Sequence, residues 1–276
     1  MRRAFCQVDV FAEMPYRGNP VAVVLNGDGL GAAAMQEFAN WMNLSETTFV
    51  LPPSQDDADY LVRIFTPSTE LPFAGHPTLG TCHAWLQAGS RPGRADVIIQ
   101  QCAAGLVPVR RTSEGLAFAA PPLVRSGSVD EPLVASAATA LRIDRTAILA
   151  AEWVDNGPGW LAVLLASAAE VLALRPGVVD FDLGVVGLYP SGSPQAIEVR
   201  AFVPKDGRTD EDPVTGSLNA SLADWLLRTG RVTAPYVASQ GTALGRRGRV
   251  HISRDIAGTI WVGGATTSCI DGFVEL

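Results

Sequence analysis

The chain contains an internal repeat, and this repeat restricts the fold more than any other feature of the sequence. The pattern R-x-F-x-P occurs over residues 63–67 and again over residues 200–204. Each copy leads through a polar loop with acidic residues to a glycine, Gly75 in the first copy and Gly216 in the second. A matched pattern followed by a matched glycine indicates two halves with the same local architecture.

A helix is predicted to follow each of these glycines, over residues 78–88 and residues 218–229. Each predicted helix contains a Trp-Leu pair, and a glycine that suits a helix C-terminus closes each of them. Extended segments come after both helices, and a Pro-rich segment at 119–122 marks the division. The sequence therefore predicts an α+β fold of two similar halves, residues 1–118 and 119–276, with a ligand site in the cleft between them.

The first half opens with a predicted β-hairpin, residues 5–11 and 21–25, where apolar residues alternate and then run together. Residues 31–42 carry Met, Phe and Ala at helical spacing, and Asn43 is a residue that tolerates a helix C-terminus. A strand is predicted to begin close to Glu46, an acidic residue with uncharged neighbours. Glu46 therefore lies at a helix-to-strand junction.

Composition excludes several classes of protein. The 276 residues are 47% hydrophobic and 18% charged, which is typical of a soluble globule. Twenty-eight acidic residues against 21 basic residues give a net charge of −7, which disfavours nucleic acid and anionic membrane surfaces as partners. The longest largely apolar stretch falls well short of the roughly 20 residues that cross a bilayer, and no apolar run of a signal peptide follows the first residues. We expect a cytoplasmic protein.

The sequence also disfavours several kinds of chemistry. Lys205 is the only lysine and lies in a polar turn, which argues against a Schiff base. The four cysteines form no C-x-x-C pair, and His76 and His83 would lie about 10 Å apart on a helix, too far to share a metal ion. Motifs of phosphate loops, dinucleotide-binding folds, serine hydrolases and zinc proteases are absent. A site without metal or cofactor, built from carboxylate and imidazole groups, remains.

The two glycines mark the candidate binding groups. Backbone N–H groups at Gly75, His76, Gly216 and Ser217 are expected to be available for an anion such as a substrate carboxylate. The alternative is that the glycines only permit tight strand-to-helix turns. His76 is either a capping residue or a neutral imidazole whose pKa is lowered by the helix N-terminus. Asp212 is the member of its acidic cluster expected to reach the site, because a proline follows it and holds it extended.

Four segments together resemble the PhzF-like isomerases of phenazine biosynthesis. They are Gly18-Asn19-Pro20, Ser45-Glu46-Thr47, residues 65–80 and residues 211–217. The last two are long enough to be specific, and the resemblance extends over essentially the whole chain. It implies the fold of diaminopimelate epimerase, in which two pseudo-symmetric halves each wrap a mostly antiparallel sheet around a central helix. It also implies a homodimer that uses no cofactor.

The resemblance implies that Glu46 is the catalytic acid and base of a small-molecule isomerase. In the reaction of trans-2,3-dihydro-3-hydroxyanthranilate, this carboxyl group would take a proton from C3 and return it at C1 on the same face of the ring. The other positions that match the family's site are His76 and Asp212 as catalytic residues and Gly75, Gly216 and Ser217 as substrate-binding residues.

Two alternatives remain beside this reading. One is an amino-acid epimerase or racemase. Related epimerases use two opposed cysteines, and the matching positions here are Ala74 and Thr215, which disfavours that mechanism. The other is a catalytically idle protein that only binds a small carboxylate. The chain also departs from the family at Leu218-Asn219, where many members have Ala-His.

Overall fold

The structure is a computed structural model that describes every residue, Met1–Leu276. The chain divides into two units, one formed by Met1–Ala119 with Gly263–Leu276 and the other by Ala120–Val262. The C-terminal segment belongs to the first unit because its strand pairs with the N-terminal strand. None of the helices combines the length and the apolar character needed to span a membrane.

The first unit is a mixed, mostly antiparallel sheet with two helices. Its elements are β1 (Arg2–Val10), β2 (Asn19–Val24), α1 (Ala32–Met42), β3 (Glu46–Leu51), β4 (Tyr60–Phe65), β5 (Glu70–Leu71), α2 (Gly75–Gln87), β6 (Val97–Cys102), β7 (Gly105–Thr112), β8 (Gly115–Ala119) and β18 (Thr266–Glu275). Strand β1 is antiparallel to both β2 and β18, and β3 is parallel to β2 and antiparallel to β4. Strand β4 pairs with β5 and, in parallel, with β6, from which β7 and β8 continue as an antiparallel meander.

The second unit repeats this plan with additional helices. Its elements are β9 (Arg125–Ser128), α3 (Glu131–Leu141), β10 (Ala150–Asp155), β11 (Leu161–Leu165), α4 (Ala168–Ala173), β12 (Leu183–Leu188), β13 (Ile197–Lys205), β14 (Arg208–Asp212), α5 (Gly216–Arg228), β15 (Tyr236–Gln240), β16 (Gly248–Arg254) and β17 (Ile260–Gly264), with short 3-10 helices at Arg145–Ala147 and Thr242–Leu244. Strand β13 is antiparallel to β14 and parallel to β15. These are the same relations that β4 has to β5 and β6.

A buried helix occupies the same place in each repeat. Helices α2 and α5 each have 13 residues, of which nine are buried. A helix buried on most sides is typical of a core position rather than a surface one. Gly80 allows α2 to approach the sheet, because a Cβ there would lie 2.3 Å from Cγ1 of Val21 and 3.0 Å from Cγ2 of Val10. The predicted central helices are therefore present.

The helix boundaries differ slightly from those predicted. Helices α2 and α5 begin at Gly75 and Gly216, three and two residues before the expected starts, and each ends one residue earlier than expected. Pro77 is compatible with the early start because its missing N–H would have no partner in the first turn. Helix α1 ends at Met42 as predicted, and Asn43 closes it in the left-handed conformation with φ of 51°.

The repeated arginine forms a two-pronged ion pair in each unit. In the first unit, Nε and Nη2 of Arg63 each lie 2.7 Å from an oxygen of Glu70. In the second, Nε and Nη2 of Arg200 lie 2.9 and 2.7 Å from the oxygens of Glu211. Each pair fastens a strand to the short strand that follows it, β4 to β5 and β13 to β14. This explains why the repeat carries an arginine and a later acidic residue, a pairing that the sequence pattern did not reveal.

Candidate active site

Glu46 and His76 are neighbours in the first unit. Glu46 is the first residue of β3 and His76 is the second residue of α2. Nε2 of His76 lies 3.2 Å from Oε2 of Glu46. Because the ring is 4% exposed, burial lowers the pKa of His76 to about 3, and the imidazole is neutral near pH 7. The contact therefore joins a carboxyl group to a neutral ring and is not an ion pair near pH 7.

The second ring nitrogen of His76 faces the first residues of β2, where the turn after β1 ends. Nδ1 lies 3.3 Å from Nδ2 of Asn19, and the backbone of Pro20 also hydrogen-bonds the ring, which opposes the fall in the pKa of His76 without overcoming the effect of burial. The register of the parallel pair β2–β3 sets Glu46 opposite Val21, immediately after this turn. The pairing of β2 with β3 and the turn before β2 thus bring the carboxyl group of Glu46 to the ring of His76.

Asp9 holds the turn that carries Asn19. Oδ2 of Asp9 accepts hydrogen bonds of 2.8 Å from the backbone N–H groups of Arg17 and Gly18. A side chain at Gly18 is excluded because its Cβ would lie 2.0 Å from the carbonyl oxygen of Val10. The sequence pointed to the Gly-Asn-Pro turn through the resemblance, but it did not connect Asp9 to that turn or Asn19 to His76.

Neither central helix is capped by a side chain. Ala74 and Thr215 occupy the N-cap positions of α2 and α5, and neither makes a side-chain cap hydrogen bond. The N–H groups of a first helical turn have no partner within the helix. No side-chain cap therefore occupies the helix starts at Gly75 and Gly216, where the sequence predicts anion binding.

Asp212 lies at the end of β14 and is held by Thr215. The hydroxyl of Thr215 donates to Oδ2 of Asp212 over 2.6 Å. Thr215 is in turn held by Gln240, whose Nε2 lies 2.9 Å from the hydroxyl oxygen. Gln240 is fully buried, and nothing in the sequence pattern marked it as part of this arrangement.

Ser217 has two partners from the segment between β10 and β11. Nε1 of Trp160 donates to the hydroxyl oxygen of Ser217 over 3.0 Å, and Nδ2 of Asn156 donates to its carbonyl oxygen over 2.9 Å. Because an indole nitrogen can only donate, the Ser217 hydroxyl proton is left to point elsewhere. Both partners were missed at the sequence level.

The departure from the family pattern at Leu218-Asn219 is accommodated locally. Leu218 is fully buried. Nδ2 of Asn219 donates to the carbonyl oxygen of Thr215 over 2.9 Å and to Oε1 of Gln240 over 2.8 Å. The asparagine therefore ties the first turn of α5 to β15.

His83 and the cysteines have structural surroundings. The two ring nitrogens of His83 lie 3.0 Å from the hydroxyl of Ser268 and 2.8 Å from that of Thr266. All four cysteines are free thiols, three of them buried. No group of three or more His, Cys, Asp or Glu side chains is arranged to hold a metal ion.

Two cavities lie elsewhere in the second unit. One, of about 350 Å³, is lined mainly by apolar residues around Leu141 and Leu174. The other, of about 450 Å³, is lined by Arg142, Arg200 and Glu211 among others, and the last two are already paired with each other. Neither contains a predicted site residue, so the candidate site rests on hydrogen-bond geometry. That geometry groups Glu46 and Gly75 around His76 in the first unit, and Asp212, Gly216 and Ser217 at the start of α5 in the second.

A glycine-initiated helix inside a mixed sheet, present twice, agrees with the epimerase-like α+β class. A family model described as "Phenazine biosynthesis-like protein" (PhzC-PhzF) matches residues 8–271, and the chain belongs to this family. Its relatives include trans-2,3-dihydro-3-hydroxyanthranilate isomerase of Pseudomonas aeruginosa, 36% identical with coverage of 91% of this chain and 90% of that protein. "Antisense-enhancing sequence 1" of Schizosaccharomyces pombe is 34% identical, with coverage of 98% and 97%.

Solved structures agree on the fold. A PhzF-family protein of Bacillus anthracis superposes with a TM-score of 0.84 at 21% identity, and both chains are covered completely. A hydroxyproline epimerase of Agrobacterium vitis superposes with a TM-score of 0.59 at 13% identity, over 99% of this chain and 92% of that one. The predicted epimerase-like α+β fold, the PhzF family and the class of isomerase are confirmed.

Proposed function

We propose that the protein moves a proton on a small cyclic carboxylate without a cofactor, by acid–base catalysis at Glu46. The substrate class is that of the isomerase of Pseudomonas aeruginosa, whose name specifies trans-2,3-dihydro-3-hydroxyanthranilate. The C3–H bond breaks as Glu46 takes the proton, the ring double bond shifts, and a C1–H bond forms as Glu46 returns it. The substrate is neither oxidised nor reduced, so the residues need to supply only proton transfer and charge stabilisation.

The contact between Glu46 and His76 is the observation that supports this mechanism most strongly. A neutral imidazole has one donor and one acceptor nitrogen. With Nε2 protonated, His76 presents a donor 3.2 Å from Oε2 of an ionised Glu46. In the other tautomer Nε2 is an acceptor, which suits a protonated Glu46. Each state of a carboxyl group that carries a proton between two carbons is therefore matched by one tautomer of His76.

The other predicted residues receive binding and orienting roles. We assign substrate binding to the first-turn N–H group of Gly75 in the first unit, and to that of Gly216 in the second unit together with Ser217, whose hydroxyl proton is directed away from Trp160. Asp212 is proposed as a catalytic acceptor for an amino or hydroxyl group of the substrate. Its hydrogen bond from Thr215 supports this role because such a bond favours the ionised carboxyl group.

A Glu46→Gln variant tests the proposal. Glutamine keeps the shape of the side chain and removes its ability to carry a proton, so the rate of isomerisation should fall by about 10²–10⁴-fold while ligand binding persists. The reaction is followed by NMR in D₂O, which also reports solvent deuterium at C1 of the product. Glu37→Gln, on the exposed side of α1, is the matched control and should retain full activity. Full activity in Glu46→Gln would refute the proposal.

The same assay separates the epimerase and the idle binding protein from the isomerase. An epimerase would invert an α-carbon in an amino-acid substrate, and a binding protein would show saturable binding without exchange. The structure adds an argument against an epimerase of the two-thiol kind. Ala74 has no group to titrate, and the hydroxyl proton of Thr215 is already donated to Asp212.

The resemblance also supports a homodimer located in the cytoplasm. Light scattering on the purified protein should give twice the mass of one chain. Fractionation of cells that produce the protein should recover it with cytoplasmic enzymes. A monomer at micromolar concentration, or recovery with the envelope, would contradict these assignments.

A further inference from the structure

A chain of hydrogen bonds runs from β15 to the end of β14, and its direction is fixed by the backbone. Oε1 of Gln240 accepts from the backbone N–H of Thr215 over 3.0 Å and from Nδ2 of Asn219 over 2.8 Å. A backbone N–H can only donate, so the oxygen of the Gln240 amide must face this side. Its nitrogen then faces the hydroxyl of Thr215 at 2.9 Å and the carbonyl oxygen of Asp212 at 3.1 Å.

The orientation of Gln240 decides where the Thr215 proton goes. Because the amide of Gln240 donates to the hydroxyl oxygen, the single hydroxyl proton of Thr215 is left for another acceptor. Oδ2 of Asp212 lies 2.6 Å away, a distance typical of a hydroxyl that donates to a carboxylate. The donors therefore run in one direction, from Gln240 through Thr215 to Asp212.

We propose that Gln240 is a positioning residue that acts through Thr215 to hold Asp212 as an ionised hydrogen-bond acceptor. The proposal rests on the catalytic role assigned to Asp212 above. Thr215 occupies the position of an epimerase cysteine, yet here it is a fixed donor and not an acid or base. The substrate group that meets Asp212 is accordingly a donor, an amine or a hydroxyl.

The first unit holds its central helix without an equivalent of the relay from Gln240 through Thr215 to Asp212. Gln100 is the comparable buried glutamine, and its Nε2 lies 2.8 Å from the hydroxyl of Thr78, the fourth residue of α2, as Asn219 is of α5. Thr78 donates to the carbonyl oxygen of Ala74 over 2.9 Å. Ala74 has no hydroxyl to continue the chain, and Oε1 of Gln100 lies 3.2 Å from the hydroxyl of Tyr60 instead. Only the second unit extends the arrangement to a carboxyl group.

The relay is buried, which makes its bonds difficult for water to replace. Gln240 is 0% exposed, Asn219 1% and Thr215 7%. Asp212 itself is half-buried, and the loss of the Thr215 hydroxyl removes a donor to Oδ2 of its carboxyl group.

A Thr215→Val variant removes the hydroxyl and keeps the shape of the side chain. We expect the pKa of Asp212, followed by ¹³C NMR of its carboxyl carbon, to lie above its pKa in the unmodified protein. We also expect kcat/KM to fall about tenfold on the acidic side of its pH profile, the effect of about one unit of displacement. Thr215→Ser restores the hydroxyl and should restore both. Thr229→Val is the control, since it removes a hydroxyl bonded to the carbonyl of Trp225 at the far end of the same helix.

Gln240→Glu tests the first step of the relay. A carboxylate at this position offers no donor to Thr215 and competes with Asp212 for the hydroxyl proton. The pKa of Asp212 should therefore rise, as in Thr215→Val.

If a variant does not fold, the Thr215 hydroxyl proton of the unmodified protein remains observable. It should exchange slowly with water and couple to the Asp212 carboxyl carbon in NMR spectra.

The outcomes separate this proposal from the proposed function. An unchanged titration of Asp212 in Thr215→Val, equal behaviour of Thr215→Ser and Thr215→Val, or a rapidly exchanging hydroxyl proton would overturn the relay whatever the enzyme does. If the pKa of Asp212 rises in Thr215→Val while kcat/KM is unchanged, the relay is supported and Asp212 has no catalytic role. If the pKa of Asp212 rises but the unmodified protein shows no isomerisation, the relay is supported and the proposed function is refuted.

Discussion

Burial of His76 should make the stability of the protein depend on pH in a defined window. The pKa of this imidazole is lowered from 6.5 to about 3 by burial. The unfolded chain therefore binds a proton that the folded chain does not, between about pH 6.5 and pH 3. The free energy of unfolding must fall as the pH falls through this window.

The size of the effect follows from the two pKa values. In the unfolded chain the imidazole has a pKa of 6.5, so pH 5 lies about 1.5 units below that pKa. Each unit corresponds to about 1.36 kcal/mol. His76 alone should therefore cost about 2 kcal/mol of stability between pH 7 and pH 5. This is a substantial share of the roughly 5–15 kcal/mol that stabilises a typical domain.

Urea unfolding at several pH values, on the unmodified protein and on His76→Gln, measures this contribution. Glutamine can place an amide nitrogen near Nε2 but does not titrate, so the loss between pH 7 and pH 5 should be smaller in the variant by about 2 kcal/mol. Comparing the two slopes removes the contributions of the carboxyl groups. His83→Gln should change the slope less, because His83 is only half-buried and burial lowers its pKa less. Equal slopes for His76→Gln and the unmodified protein would refute the reasoning.

Two further predictions concern stability. Arg200→Met should lower the free energy of unfolding by about 3–5 kcal/mol, because it leaves a buried carboxylate without its partner. The equivalent change in the first unit, Arg63→Met, should cost only about 0–1 kcal/mol because its pair is more exposed. Equal costs in urea unfolding would contradict this difference. Gly18→Ala should lower the midpoint of thermal unfolding by several degrees or prevent folding, since its Cβ would lie 2.0 Å from the carbonyl oxygen of Val10. Gly93→Ala, where the nearest atom would be 3.6 Å away, is the control, and similar midpoints for the two variants would show that the turn adapts.

The repeated pattern was enough to predict the two central helices, because local signals decide where a helix forms. The closing glycine is such a signal, and the Trp-Leu pair that occurs before each closing glycine marked the two helices as copies. The start of α2 was displaced because Pro77 is tolerated inside a first turn as well as before one. Asn43 was interpreted correctly for the same local reason. Helices and helix ends that are set by local residues can therefore be inferred from the sequence.

Contacts between distant strands could not be inferred in this way. The sequence drew attention to Glu46 and His76 separately, but their contact depends on the parallel register of β2 and β3, which no local pattern specifies. The contacts of Gln240 could not be predicted either, because the sequence of its strand has no pattern that distinguishes it from other strands. The arginine of the repeat was visible, yet its acidic partner follows at a different spacing in each copy. Candidate catalytic residues were therefore easier to predict than the residues that position them through hydrogen bonds or ion pairs.

The pairing of β1 with β18 has a consequence for how the chain acquires its structure during synthesis. Residues Arg2–Val10 are made before all the other strands described, but one of their two neighbouring strands, Thr266–Glu275, is made after all of them. The second unit is continuous in sequence and can complete its sheet as soon as it leaves the ribosome. The first unit must wait with one side of β1 unpaired until β18 has been synthesised. The unit that contains Glu46 and His76 is thus completed after the second unit, although most of it is synthesised before the second unit.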